Sequence, residues 1–371
     1  MPKDSIMELR KLGTTGLTVS KFCLGAGMFG KFGNTDHDAC VRIIHAALDA
    51  GVNFIDTSDV YSFGESERIV GKALEGRRDD VILATKFGLP VSDRPNQSGG
   101  SRHWIMREVE NSLRRLNTDY LDLYQMHRPD PNTDLDDTLG ALSDLVAQGK
   151  IRMFGCSTFP AELLVESHWI AERRGRECFR TEQPPYSIFA RRVEADLLPT
   201  CQRFGMGTLV WSPLAQGWLS GKYRRGRAST EVHRANLQPQ LFDDSHPDTV
   251  AKYDAIEALA ELADASGESI LALAMAFACE HPAVTSAIIG PRTMSHLDGL
   301  LAVADTTLSA EQLDRIDAIV PPGTNLSRAD DGYLAPALVD KSLRRRPRHE
   351  SAPVAISGAT DRLREMFAAN D

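Results

Sequence analysis

Several marks of specialised protein classes are missing from this sequence. Its six cysteines, Cys23, Cys40, Cys156, Cys178, Cys201 and Cys279, are scattered, with no Cys-x-x-Cys pair. That leaves no zinc spacing and reads as buried thiols in a reducing compartment. Basic charge is not in excess: 42 Lys and Arg stand against 51 Asp and Glu, a net charge of -9. This argues against nucleic-acid binding through bulk charge. The opening "MPKDSIMELRKLG" has no apolar core of a signal peptide. The longest apolar run, "ILALAMAFAC" at 270–279, is too short to span a bilayer and suits a buried helix. The expectation is a soluble cytoplasmic protein, with no membrane or nucleic-acid partner.

What is present is an ordinary globular composition, 42% hydrophobic and 25% charged over 371 residues. Short β-rich runs alternate with helical periodicity. Eight strands are expected, at 21–27, 52–58, 81–87, 121–127, 151–157, 180–187, 207–213 and 284–290. Between the first two, Val41, Ile44, His45 and Leu48 share one helical face, and Gly51 stops the helix. Such alternation argues for a parallel sheet, and eight repeats favour a closed (β/α)8 TIM barrel of about 250 residues or more. An open dinucleotide-binding sheet would want G-x-G-x-x-G after the first strand. "LGAGMFGKFG" offers Gly25, Gly27 and Gly30, with the last glycine wrongly spaced.

Two segments lie outside the repeat. "MELRKLGTTGLTVSKF" reads as a β-hairpin around Thr15-Gly16, capping the barrel floor. The polar insertion 223–248 follows the seventh strand and reads as a lid. The barrel is expected over 1–320. A C-terminal extension over 321–371 is expected to be partly a substrate loop, with a short amphipathic helix in "TDRLREMFAAND".

Functional residues of such barrels project from the C-terminal strand ends. Those ends carry Asp56 and Tyr61 after the second strand, Lys86 on the third and His127 after the fourth. A cation near a tyrosine favours the phenolate and makes the hydroxyl a better acid. A carboxylate keeps the lysine charged and in place, and a histidine hydrogen-bonds a substrate oxygen. Together they could protonate a carbonyl oxygen while hydride arrives at carbon. Taken singly, Asp56 is a helix cap, Tyr61 packing, Lys86 a solvated charge and His127 structural. Asp59 reads as an ordinary turn residue, and "GESE" at 64–67 as the start of the next helix with acids at its N-terminus. Asp56 with His127 also suits a metal hydrolase, which would need further His and carboxylate ligands at strand ends.

The blocks "NFIDTSDVYSFGESE", "ATKFG", "DLYQMHRPDP", "GCSTF", "EQPPYSIFAR", "WSPLAQGWLSGKY" and "IIGPRTMSHL" occur in this order between Leu9 and Val320. In this they resemble the aldo-keto reductase superfamily. "HRPDPNT" and "WSPLAQGWLSGKY" are similar to its branch of potassium-channel β subunits and bacterial enzyme relatives. The resemblance implies a catalytic tetrad of Asp56, Tyr61, Lys86 and His127, with Tyr61 as general acid, Lys86 activating it and His127 orienting the carbonyl. In the channel subunits the last position is typically not histidine, so His127 favours an enzyme.

The resemblance further implies an NADPH (NADP+) site and metal-free direct hydride transfer. Ser157 and Gln183 would hold the carboxamide. Trp211 would stack on the nicotinamide. Ser212, Leu214, Gln216 and Lys222 would line the pyrophosphate. Gly290 opens the last turn, and Arg292 would take the 2′-phosphate, favouring NADPH over NADH. His296 would reach the adenosine end, and Arg234 in the insertion would close over the dinucleotide. Two blocks depart from the family pattern: Ser157-Thr158 stands where Ser-Asn is usual, and His296, Gly299 and Leu300 replace the usual adenine contacts. The substrate, a small carbonyl or keto sugar, would meet Met28, Phe29, Tyr61, Trp104, His127 and the loops at 223–248 and 321–340. Trp104 equally suits packing of the third helix. The rival reading is an NADPH-holding redox sensor resembling a channel subunit, with little turnover. An oligomer is compatible with either.

Overall fold

The computed structural model describes residues 7–226 and 238–343. Eight parallel strands close into a barrel in the order β10-β3-β4-β5-β6-β7-β8-β9. They are β3 (Phe22–Gly25), β4 (Phe54–Asp56), β5 (Ile82–Phe87), β6 (Leu121–Met126), β7 (Ile151–Ser157), β8 (Thr181–Gln183), β9 (Gly207–Val210) and β10 (Ser286–Ile289). Each falls inside one of the eight runs expected from sequence. Most strand residues are buried on both faces, which is why runs such as β5 and β6 are largely apolar rather than alternating, while Arg152 of β7 is exposed and β8 is the polar run Thr181–Gln183. At one point only glycine fits: a Cβ on Gly155 of β7 would lie 2.0 Å from Thr181 Oγ1 of β8.

The helices follow the strands in turn: α1 (His37–Asp49), α2 (Glu65–Ala73), α3 (Arg102–Leu116), α4 (Leu135–Ala147), α5 (Ala161–Arg174), α6 (Leu197–Arg203), α7 (Pro247–Ser266), α8 (Ile270–Glu280), α9 (Met294–Ala302) and α10 (Ala310–Ile319). Side-chain caps start many of them. Ser101 accepts from Trp104 N at α3, Asp134 from Asp136 N at α4, and Ser309 with Gln312 forms a capping box at α10. The apolar run at 270–279 forms α8, and its side chains are nearly all buried. Among the described residues no single helix is long and apolar enough to cross a membrane.

By contacts the described residues fall into two compact halves: those within 1–25, 42–54 and 183–331, and those within 26–41, 55–182 and 332 onward. In the first half, β1 (Leu9–Lys11) and β2 (Thr18–Ser20) form the expected antiparallel hairpin. Its turn sits at the N-terminal end of β9, where Thr14 N donates to Gly205 O at 2.9 Å. The segment after α10 is pinned there too, with Leu326 N donating to Phe189 O and Arg191 N to Thr324 O. The described flanks of the insertion fold on Trp218, which stacks on Phe242 at 4.8 Å and meets Tyr223 at 4.9 Å and Tyr253 edge-on at 5.1 Å. Lys252 and Asp330 make a buried ion pair at 2.7 Å. Residues 227–237 of the lid expected at 223–248, with Arg234, and the helix expected near the C-terminus lie outside the described residues.

Candidate active site

The second half holds the four strand-end residues. Asp56 ends β4 and Lys86 lies near the end of β5, both buried. Lys86 Nζ donates to Asp56 Oδ2 at 2.5 Å and to the Thr57 carbonyl at 2.9 Å. Gln125 of β6 donates to the other Asp56 oxygen at 3.1 Å. The carboxylate is thereby satisfied on both sides in a dry environment, as a buried charge must be. Burial alone would push the Lys86 ammonium down. The Asp56 carboxylate and the Tyr61 oxygen outweigh it, and the group stands above the usual lysine range. This lysine is a fixed positive charge.

Tyr61 lies over that charge, with Lys86 Nζ 5.1 Å from its ring centroid. His127 faces the same ring edge-on at 5.8 Å between centroids. Burial, then the Arg128 and Lys86 charges, hold the His127 imidazole well below the usual histidine range, so it is neutral. The loop bearing Tyr61 is strained: Ser62 and Phe63 both have left-handed backbones, φ 48° and 59°. Ser62 Oγ fixes it by donating to Phe29 O at 2.9 Å and accepting from Phe32 N at 3.0 Å. A neutral imidazole, a phenol hydroxyl and a fixed cation are thus grouped around the Tyr61 ring, an arrangement that can protonate an oxygen gaining negative charge.

Of the expected substrate residues, Met28 is half-buried while Phe29 and Trp104 are buried. Trp104 sits on α3 and lines a cavity of about 200 Å³ with Asp59, Val60, Phe63, Glu108 and Arg115.

Asp59 corrects the sequence reading. It is no ordinary turn residue but a buried carboxyl, bonded through Oδ1 to Ser58 Oγ at 3.0 Å. Glu67 does lie in the first turn of α2, yet it is buried and bonded to Thr85 Oγ1 at 2.6 Å and Arg115 Nε at 2.5 Å. Arg115 Nη2 also holds Glu108 at 2.5 Å. One signal was available: Glu108, Ser112 and Arg115 recur at i, i+4, i+7 on α3, a polar stripe facing inward. Gln125, the second partner of Asp56, was a polar residue inside an apolar strand.

At the end of β7, Ser157 is buried, 3.2 Å from Thr158 Oγ1 and 3.4 Å from Arg128 Nη1, a residue the sequence reading did not single out. Glu182 of β8 is buried against the two residues that flank this pair, accepting from Cys156 Sγ at 3.0 Å and Phe159 N at 3.1 Å. Burial raises this carboxyl to about 7 against those hydrogen bonds.

In the first half, Gln183 ends β8 and is buried, and Trp211 follows β9. Ser212, Ala215, Gln216 and Gly217 all have left-handed backbones, and Ser212 Oγ accepts from Gln216 N at 2.8 Å. Leu214 lies within this tight coil. Lys222 Nζ is 3.4 Å from His296 Nε2. Gly290 follows β10 with open space where a Cβ would point, and Arg292 is half-buried just before the Thr293 cap of α9. A lysine, an arginine and a helix N-terminus beside open space form a donor set suited to phosphates. These residues fit a phosphate-bearing dinucleotide. Among the described residues, no group of three or more His, Cys, Asp and Glu could hold a metal ion.

Comparison with known proteins shows the family. The model of the aldo/keto reductase family matches residues 21–321. An uncharacterized oxidoreductase of Bacillus subtilis, YrpG, is 37% identical over 85% of this chain and 97% of its own length. A probable voltage-gated potassium channel subunit beta of Oryza sativa subsp. japonica is 34% identical, over 85% and 97%. Norsolorinic acid reductase B of Dothistroma septosporum is 30% identical, over 86% and 83%.

Proposed function

This chain belongs to the aldo/keto reductase family, and on that premise we propose that it reduces an aldehyde or ketone to an alcohol with NADPH, Tyr61 giving the proton. The observation that carries this is the buried Lys86–Asp56 pair beneath the Tyr61 ring, with neutral His127 at the ring's edge. Bound NADPH would supply the hydride. As negative charge grows on the carbonyl oxygen, Tyr61 Oη–H transfers its proton there. Lys86 stabilises the phenolate left behind, and Asp56 with Gln125 keeps Lys86 from moving. His127 orients the carbonyl by a hydrogen bond.

Ser157 and Gln183 would hold the nicotinamide amide, and Trp211 would cover its ring. Ser212, Leu214, Gln216, Lys222 and Gly290 would line the phosphates. Arg292 would take the 2′-phosphate, which selects NADPH, and His296 would reach the adenosine end. Met28, Phe29 and Trp104 would shape the substrate side. All six cysteines are free thiols, five of them buried, which suits the reducing cytoplasm.

The test is turnover of a carbonyl panel, including 4-nitrobenzaldehyde, with NADPH and with NADH. The reading expects reduction, faster at low NADPH than at equal NADH. The likeness to proteins named as channel subunits favours a second reading, NADPH binding with little turnover. Tight NADPH binding with no reduction across the panel would select it.

A further inference from the structure

The histidine that faces Tyr61 is held from behind. Ser58 Oγ lies 3.1 Å from His127 Nδ1 and 3.0 Å from Asp59 Oδ1. All three residues are buried. A hydroxyl has one proton and can donate it to only one of these neighbours. The other must donate to the hydroxyl. His127 is neutral, so it carries a single N–H, and with Nδ1 turned to Ser58 it is Nε2 that remains for a reacting oxygen.

The choice is set at Asp59. If Asp59 is protonated, its O–H donates to Ser58, Ser58 donates to Nδ1, and Nε2 bears the N–H. If Asp59 is ionised, Ser58 donates to Oδ1, Nδ1–H donates to Ser58, and Nε2 is a bare acceptor. A carbonyl oxygen is an acceptor only, so it needs the first arrangement. We propose that Ser58 and Asp59 are positioning residues that select the tautomer of His127 and so decide whether it offers an N–H to a carbonyl.

The surroundings supply the bias. Asp59 Oδ2 has no partner among the described residues, and Asp59 lines the cavity with Trp104, whose indole N–H is likewise without one. The charged groups facing Asp59 are Glu67 from α2 and Glu108 and Arg115 from α3, with the Tyr124 hydroxyl of β6 nearby. Arg115 is shared between Glu67 and Glu108, so three carboxyls face one guanidinium. Burial, then Glu108 and Glu67, hold the Asp59 carboxyl well above the usual carboxylate range. On the other side His127 faces Lys86, Arg128 and Tyr61.

The catalytic consequence rests on the carbonyl-reduction reading, but the tautomer does not, and the experiment separates them. Nitrogen-15 NMR of histidine-labelled full-length protein reports which ring nitrogen carries the proton, with His127→Gln identifying the resonance. Wild type is expected to hold the Nε2–H form while Asp59 is protonated and to pass to Nδ1–H as pH rises through the Asp59 titration. Asp59→Asn and Ser58→Ala are each expected to abolish that passage. In Ser58→Ala, kcat for reduction is expected to fall by about tenfold or more with the KM for NADPH unchanged. A His127 tautomer with the same pH course in wild type and either folded variant overturns the proposal. So does a wild-type resonance that stays in one tautomer while Asp59 titrates, a result that needs no variant. Tautomer coupling without any carbonyl reduction would sink the functional reading alone.

Discussion

Glu182 offers a sharp test of how this barrel tolerates a buried acid. Its carboxyl is raised from 4.5 to about 7, chiefly by burial. The folded state therefore holds the proton more tightly than the unfolded chain does. The sign follows: the stabilisation is fully present below pH 4.5 and is lost as pH rises to about 7. The rise from 4.5 to about 7, at about 1.36 kcal/mol per pH unit, amounts to roughly 3 kcal/mol. Glu182→Gln keeps an acceptor for Phe159 N and a neutral group against Cys156, and cannot ionise. Relative to wild type, the variant should gain roughly 3 kcal/mol of stability between the acid and alkaline ends of that window, or about 4 °C in Tm for a chain of this size. Urea unfolding of both proteins across the window measures it. Parallel stability curves for the two would refute the reasoning, because every other titrating group is common to both.

Other perturbations follow from the same geometry. Lys86→Met removes the ammonium from the buried Asp56 carboxylate, which keeps the Gln125 hydrogen bond, and should cost about 3–5 kcal/mol in urea unfolding. Asp56→Asn in that background should recover part of the loss without restoring activity. Gly155→Ala places a methyl 2.0 Å from Thr181 Oγ1 and should cost about 1–3 kcal/mol by forcing β7 from β8, read by the shift in Tm. Arg292→Ala should weaken NADPH binding by roughly tenfold in calorimetric titration and leave NADH nearly unchanged.

The barrel was legible because most of its strand residues are buried on both faces. Runs such as "VILATKF" carry that burial in composition alone, and the glycines and caps between them punctuate the helices. The strand ends were less legible. β4 covers only Phe54–Asp56, although Thr57 N and Asp59 N still donate to the β5 carbonyls of Ala84 and Lys86 on the way to the loop that carries Tyr61. The four strand-end residues of the candidate site could be read because a barrel brings consecutive strand ends together. The layer behind them could not. Asp59, Glu67, Glu108 and Arg115 lie on a loop and two helices, and each has an ordinary local explanation as a turn, a helix-start acid or a surface charge. Only their packing reveals that three carboxyls share one arginine.

Direct hydride transfer with proton donation by Tyr61 is tested most plainly by isotope placement. NADPH carrying deuterium at the transferred C4 position is reacted with 4-nitrobenzaldehyde in ordinary water, using wild type and Tyr61→Phe. The account predicts one deuterium on the carbinol carbon with wild type, and a rate lowered by about a hundredfold or more in the variant while NADPH still binds. Product without deuterium at carbon, or equal rates for the two proteins, would contradict it.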